Sequence, residues 1–553
     1  MSLARKSRAP LALAALASLL ALSACGSGSP AAHARARTAA ATTADAGGAT
    51  ATDGTPEGAG QDGLSAGPPA LLPAVRPTGV AVSVTVGAAR GAANAATPVP
   101  ADFLGLSFEL RDLPQIARYA ARGNLITLLR SLGPGVLRFG GVSADEHTTW
   151  IGPRASAPRD AGAHAPRGAR TVIDPAELAG IAALARASGW RVLLTVDLGR
   201  YDPGAAGREA AAARAALGPA LLAIAIGNEP DRYVRKGLRA PGWSFDAYRA
   251  QAAAYRAAIA AAAPGVAVAG PDPSSGLPGL AWLRATARAL HPQLLTDHYY
   301  PLSSCGYTPT VSELLSPGVR AKDAAILAQL HAIARDAATP LRIDELGSVS
   351  CEGFPDVSDT LASALWALDY TAHAAATDFA GVNFHDLLVK PGAYSPLVAT
   401  SPAALARGSL RAQPAWYALL AARALAGTQP LPTSVAAASL GELDASAFRA
   451  TDGRLLLLLV DYDTPGSSPL DVRLRVPRPP SDPRRASAYT SGSILRLAGP
   501  SPAATAGVTL AGRAVAADGT WRAPSALPAV YVRRGALSLQ LAPSSAALVT
   551  LYP

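Results

Sequence analysis

The sequence predicts an α/β fold, a (β/α)8 TIM barrel followed by an antiparallel β-sandwich domain, and three observations predict it. Short apolar runs alternate with alanine-rich helical stretches eight times between residues 97 and 426. Helical patterning stops near Gly427. No Gly-x-Gly-x-x-Gly follows any of the runs, which favours a closed barrel over a doubly wound sheet. The runs are continuously apolar, as in strands buried on both faces.

The chain has 553 residues, enough for two domains. Arg5, Lys6 and Arg8 precede an apolar stretch from Pro10 to Ala21, too short for an ordinary spanning helix. It ends in Leu22-Ser23-Ala24-Cys25, which resembles a bacterial lipobox; the resemblance implies cleavage before Cys25 and lipidation of its thiol. A plain secretory signal is the alternative. Either way residues 1–25 direct export, to a lipid-anchored place on the outer face of a membrane or to full secretion. Residues 26–78 hold Ala, Gly, Thr, Ser and Pro without apolar periodicity and read as a disordered tether.

Residues 79–96 contain a strand, Val80 to Val86, which needs a sheet to join and is assigned to the sandwich. The barrel then fills residues 97–426. Its strands are expected at Phe103–Leu110, Gly135–Gly140, Arg191–Leu198, Leu221–Gly227, Val266–Gly270, Leu294–Tyr299, Leu341–Glu345 and Phe379–His385. The helices between them are expected at Leu113–Leu132, Pro175–Ser188, Ala206–Leu217, Phe245–Ala262, Pro278–Leu290, Lys322–Asp336, Ser358–Ala376 and Gln413–Ala426. Residues 427–553 carry short strands separated by Gly, Pro, Asp and Ser, a sandwich pattern.

The formal charge is +10, carried almost wholly by arginine. The arginines are scattered and no nucleic-acid motif accompanies them, so nucleic acid is not an expected partner.

Two glutamates stand at the ends of apolar runs: Glu229 in Leu221-Leu-Ala-Ile-Ala-Ile-Gly-Asn-Glu-Pro230, ending the fourth strand, and Glu345 in Pro340-Leu-Arg-Ile-Asp-Glu345, ending the seventh. Carboxyl groups facing each other at a barrel mouth suit glycosidic hydrolysis, in which one protonates the leaving oxygen while the other attacks the anomeric carbon or activates water. Asn228 is placed to hydrogen-bond a sugar hydroxyl. Asp344 should alternate to the other face of its strand, away from the substrate, as a structural partner of Arg342 or of a nearby backbone donor. His298-Tyr299-Tyr300 ends the sixth strand, where a tyrosine hydroxyl can hold the neighbouring nucleophile ionised; Arg138, near the end of the second, can do so by charge. Core packing is the competing reading for one of the two tyrosines. No metal or cofactor is expected, since no Cys/His cluster has ligand spacing.

Asn228-Glu229-Pro230 and Glu345 resemble the retaining glycoside hydrolases of clan A. Further stretches resemble family 79, the heparanase and β-glucuronidase family: Phe103-Leu-Gly-Leu-Ser-Phe-Glu109, Leu137-Arg-Phe-Gly-Gly141 with Asp145, Thr296-Asp-His-Tyr-Tyr300, Val357-Ser-Asp-Thr-Leu-Ala-Ser-Ala-Leu-Trp366 and Gly381-Val-Asn-Phe-His385. The resemblance covers about residues 79 to 553. It implies Glu229 as acid/base and Glu345 as nucleophile, with substrate-binding positions at Asn228, Glu109, Arg138, Asp145, His298, Tyr299, Tyr300, Asn383 and His385. The implied partner is a glycoside or glycan that contains uronic acid.

Two departures bear on the sugar. Uronate-specific members resemble one another in a Gly-rich loop after the nucleophile, whose N–H groups receive the sugar carboxylate; here the stretch reads Cys351-Glu352-Gly353. They also carry a tyrosine near the end of strand eight, where this chain has Phe384. Arg232, Arg235, Lys236 and Arg239 follow the acid/base and suit an acidic aglycone, or form a solvated basic loop. Cys305 and Cys351 follow neighbouring strands and are expected to form a disulfide between two loops of the site, the alternative being two buried free thiols. The competing functional readings are a retaining β-glucosidase or β-xylosidase on neutral sugars, and a non-catalytic carbohydrate-binding protein on the same fold.

Overall fold

Eight parallel strands close on themselves in sequence order: β1 (Leu104–Glu109), β2 (Val136–Gly140), β3 (Arg191–Val196), β4 (Leu221–Ile226), β5 (Val268–Gly270), β6 (Leu294–Tyr299), β7 (Leu341–Leu346) and β8 (Gly381–Asp386). The TIM barrel is therefore the fold. The computed structural model describes residues 79–87, 97–152, 171–390, 392–437, 442–477 and 487–553. The export segment, Cys25, the tether and residues 88–96 lie outside them. Among the described residues no helix is long and apolar enough to cross a membrane.

Local chemistry explains how the strands are joined. The helix Pro175–Ser188 starts where Asp174 accepts from Ala176 N at 2.7 Å while Glu177 accepts from Asp174 N at 3.0 Å, a reciprocal cap, with Pro175 fitting the first turn. It stops at Gly189, whose φ of 79° suits a left-handed cap. The expected helix 113–132 is two helices, Leu113–Ala117 and Leu125–Leu132. The break is held from outside: Asn124 N bonds Gly408 O at 3.0 Å and Asn124 Nδ2 bonds Leu410 O at 2.8 Å. Helical periodicity alone cannot foresee a tertiary hydrogen bond of this kind.

The lower barrel interior is filled by small or branched apolar side chains, among them Val136, Leu193, Ala223, Ala225, Ala269 and Leu294. The strand Val80–Val86 pairs with Leu470–Arg475 and Thr433–Ala437 in a four-stranded sheet. The facing sheet includes Leu455–Asp461, buried along its whole length. Its Leu455, Leu457 and Leu459 enter the sandwich core, while Leu456, Leu458 and Val460 join the barrel's core. Period-two alternation thus seats the sandwich on the barrel. The strand Ser491–Ala498 is hard to read in the sequence, because Ser, Gly and Arg dilute its apolar signal.

Candidate active site

The C-terminal ends of the barrel strands surround a cavity of about 450 Å3. Glu229 lies just beyond β4 with φ 51° and ψ 56°, a left-handed conformation that is costly for a non-glycine residue. Its N–H donates to Asp272 O at 2.8 Å, and Pro230 fixes the chain leaving it. Its Oε1 is 3.5 Å from His298 Nδ1 and its Oε2 is 3.1 Å from Lys236 Nζ.

Glu345 sits on the facing wall. The Arg138 guanidinium donates to its Oε2 at 2.6 Å and Tyr300 donates to its Oε1 at 2.9 Å. A carboxylate oxygen of Glu345 and one of Glu229 lie within 4.8 Å of each other. Alternation predicts that Asp344 and Glu345 face opposite sides of β7, but the pairing register of β7 slips there against both neighbours. The irregularity turns both residues inward. Asp344 Oδ2 is 3.3 Å from Arg138 Nε, whereas Arg342 bonds Asn383 Oδ1 at 2.5 Å and main-chain oxygens at the base of the barrel. The expected Asp344–Arg342 pairing is corrected accordingly.

Arg138 is the hub. Fully buried, it also donates to Ser107 Oγ at 3.1 Å, to Asn228 Oδ1 at 2.7 Å and to Asp272 Oδ2 at 3.1 Å. Such close packing explains two glycines. A Cβ on Gly140 would lie 2.6 Å from Arg138 Nη2, and one on Gly141, at φ 69°, would lie 2.6 Å from Glu109 Oε1.

Electrostatics separate the two glutamates' surroundings. Burial pushes Glu345 upward, but the charges of His298, His385 and Arg138, with the Arg138 hydrogen bond, hold it far below the usual carboxylate range. For Glu229 burial is likewise outweighed, by the His298 hydrogen bond and the charges of Lys236 and His298, which bring it down to about 2. Burial disfavours a charged His298, yet Glu345 and the Glu229 hydrogen bond push it up to about 9. Its Nε2 is 3.1 Å from Arg138 Nη2, a contact that favours the neutral ring. In either form the Nδ1–H points at Glu229.

The sequence-derived positions divide by location. Glu109, Glu229, Tyr300, Glu345 and His385 line the cavity. Arg138, Asn228 and His298 are buried behind its lining and hold the glutamates in place. Asp145 is a buried brace: it accepts from Asn228 N, Leu198 N, Gly199 N and Tyr233 Oη at 2.7–2.9 Å, fixing the loop that carries Glu229. Two positions point elsewhere. Tyr299 turns outward, donating to Asp323 at 2.5 Å and stacking on Tyr370. Asn383 is buried low in the barrel, bonded to Arg342, Leu106 O and Val136 O. Neither lines the cavity, because each lies one residue or one turn of the pleat away from the positions that do.

Sequence reasoning missed Asp272, Ser107, Tyr394 and the pairing of Lys236 with Glu229. Asp272 was findable, since Gly270-Pro-Asp-Pro273 ends a strand as Asn228-Glu-Pro230 does. Tyr394 lies on the long loop after β8, beside Tyr300 with ring centroids 5.4 Å apart, and no local pattern marks it.

Cys305 and Cys351 form the expected disulfide, with Cα atoms 5.8 Å apart. A two-residue parallel ladder, Leu302–Ser303 with Val349–Ser350, joins the same loops.

No protein-family model matches the chain, and no curated protein matches it. Solved structures do. A 4-O-α-L-rhamnosyl-β-D-glucuronidase from Fusarium oxysporum 12S superposes with a TM-score of 0.68 at 20% identity, over 85% of this chain and 100% of that one. The family 51 α-L-arabinofuranosidase AbfB from Bifidobacterium longum gives 0.60 at 17%, over 85% and 99%. A family 51 arabinofuranosidase from Xanthomonas axonopodis pv. citri gives 0.60 at 14%, over 86% and 100%. What this chain shares with them is the fold, a glycosidase-type barrel with its appended sandwich.

Proposed function

We propose that this protein is an exported retaining β-glycoside hydrolase of the family 79 type, acting on β-glucuronides. The observation that carries the reading is the pair Glu229 and Glu345, with carboxylate oxygens within 4.8 Å. Retention needs the two groups about 5–5.5 Å apart, and inversion, which places a water between them, about 6.5–9.5 Å. Glu345, held ionised by Arg138 and Tyr300, attacks the anomeric carbon as the glycosidic bond breaks. Protonated Glu229 donates to the leaving oxygen. Water enters, Glu229 takes its proton, and the hydroxide equivalent displaces Glu345 from the sugar.

Three features favour a uronate over a neutral sugar. Cys351, Glu352 and Gly353 have φ of 63°, 66° and 89°, a tight left-handed turn whose Cys351 and Glu352 line the cavity; backbone amides presented by a turn suit an anion. Glu352 lines the cavity but is ion-paired with Lys390 at 2.5 Å, which offsets part of its repulsion of an anion. Tyr394 supplies from the loop after β8 a phenol that Phe384, packed against Trp366, does not. A glucuronidase also stands among the structural neighbours.

The test is a panel of 4-nitrophenyl β-glycosides with wild type and Glu345→Gln, read by nitrophenolate release and by NMR of the first-formed sugar. Release from the glucuronide, with the β-anomer appearing first and a loss of about three orders of magnitude in the variant, is expected. Release from glucoside or xyloside instead makes the pocket a neutral-sugar site. An α-anomer first overturns the retaining mechanism, and binding without release supports the lectin reading. Export and lipid anchoring belong to the same proposal, tested by metabolic labelling of Cys25 with a fatty-acid probe.

A further inference from the structure

A general acid has to carry a proton when the substrate is bound, yet Glu229 has an ammonium 3.1 Å from its Oε2. The pair is largely enclosed: the side chains of Lys236 and Glu229 are 15% and 20% exposed. The other charged groups facing Glu229 are His298 on β6, 3.5 Å away, and Glu345 on β7, with Arg232 and Arg235 along the same cavity wall. Among these charges only Glu345, beside burial itself, favours a proton on Glu229, and Arg138 already compensates Glu345. The free enzyme is therefore arranged for the water-activating half of the cycle and against the proton-donating half.

The cation beside Glu229 is a lysine in a chain with only four of them, against 49 lysines and arginines together. Arginine would clamp a carboxylate with a planar fork; lysine offers a compact charge on a flexible stem. Among the described residues Glu229 is the only ion-pair partner of Lys236, so two of its three N–H donors are uncommitted. Arg235, exposed on the same loop, has no ion-pair partner among the described residues. Arg232, by contrast, is tied to Ser274 Oγ at 2.7 Å. Lys236 and Arg235 lie on the loop that carries the acid/base, hence on the side of the leaving group.

We propose that Lys236 holds Glu229 ionised in the free enzyme, and that an anionic group on the leaving part of the substrate draws the ammonium away and lets Glu229 take up a proton from solvent, so that the enzyme selects acidic aglycones. The proposal rests on the glycosidase reading above and assigns Lys236 as a specificity-determining residue. With the cation neutralised by its new partner, Glu229 is left with His298 and the repelling Glu345, and its proton affinity rises. A neutral aglycone leaves the pair closed and Glu229 ionised, without the proton it has to donate.

The experiment compares kcat/KM against pH for two alkyl glycosides of the glycone found in the panel, matched in alcohol acidity, one ending in a carboxylate and one neutral. The 4-nitrophenyl glycoside, whose leaving group departs without a proton, runs beside them. Wild type is expected to prefer the carboxylate-bearing aglycone by about tenfold or more, the equivalent of one pKa unit on the acid. Lys236→Met should erase the preference and move the basic limb for the neutral alkyl glycoside to higher pH, and Lys236→Arg should retain the preference. Equal wild-type rates on the two alkyl glycosides, with 4-nitrophenyl release intact, overturn the lysine lock alone. A Lys236→Met enzyme that slows on both in proportion, with unchanged limbs, overturns it too. Absence of wild-type release from every 4-nitrophenyl glycoside removes the glycosidase reading on which the lock depends.

Discussion

Replacing Arg138 by Gln is the perturbation that probes the site most directly. The guanidinium is fully buried and lies 2.6 Å from Glu345, 3.1 Å from Asp272 and 3.3 Å from Asp344. At an effective dielectric constant near 20, one such contact at 3 Å is worth about 5 kcal/mol before desolvation is counted. Glutamine regains the desolvation cost of the cation but strands the carboxylates. Glu345 keeps Tyr300, and Asp272 keeps the Thr296 hydroxyl, so the loss does not triple. The expected destabilisation is about 3–5 kcal/mol at neutral pH, the usual result of breaking a buried pair from one side.

The pH dependence gives a sharper check than the size. In the wild type Glu345 is held below its ordinary value of 4.5, so its stabilising contribution is present above that pH and is lost as pH falls through the depressed folded value. The variant lacks this contribution, so the two stability curves should stand furthest apart at neutral pH and converge in acid. Urea denaturation from pH 7 down to pH 2 measures the gap, and the acidic limb of kcat/KM should move up in step as Glu345 becomes easier to protonate. A gap below about 1 kcal/mol at pH 7, or one that does not narrow between pH 4.5 and pH 2, would refute the reasoning, since a removed buried ion-pair hub predicts neither.

Two further outcomes follow from the rest of the structure. His373 on the barrel helix Leu361–Ala376 lies 3.5 Å from Asp369 and 3.2 Å from Asp444 of the sandwich; burial lowers its pKa, but the two aspartates push it up to about 9. The clasp should stabilise fully below about pH 6.5 and weaken as pH rises through about 9, and His373→Gln should flatten that part of the melting-temperature profile. Reduction of Cys305–Cys351, which closes a sequence separation of 46, should cost up to about 4 kcal/mol by chain entropy, read as a lower melting temperature in reductant.

The barrel was legible because its strands are buried on both faces and so remain continuously apolar; β2, β3, β4 and β6 begin within a residue of where the sequence puts them. The two glutamates were legible because strand ends are where a barrel exposes chemistry. The side-chain directions behind them were harder to read. His298 and Tyr300 face inward and Tyr299 outward, which alternation resolves only once the inward face is known. Asn383 entered as a binding position only through the family resemblance, but Arg342 is buried at the other end of the barrel and takes the Asn383 amide oxygen as its acceptor there. Tyr394 and Lys236 reach the site from loops, where position is set by tertiary contact and not by period.

The slip in β7 ties these observations together. Had β7 alternated, Asp344 would sit among the outer helices and Arg138 would face only Glu345 and Asp272. With the register shifted, Asp344 joins them, and three carboxyl groups share one guanidinium. They cannot all ionise cheaply in a buried site. Burial first, and the Asp272 carboxylate next, push Asp344 up, while Glu345 is driven down by the cations around it. Adjacent residues are thereby set on opposite sides of neutrality. A protonated Asp344 leaves most of the Arg138 charge to Glu345, the one member of the trio that lines the cavity. The misalignment of one strand thus sets which of two neighbouring acids faces the cavity as a carboxylate.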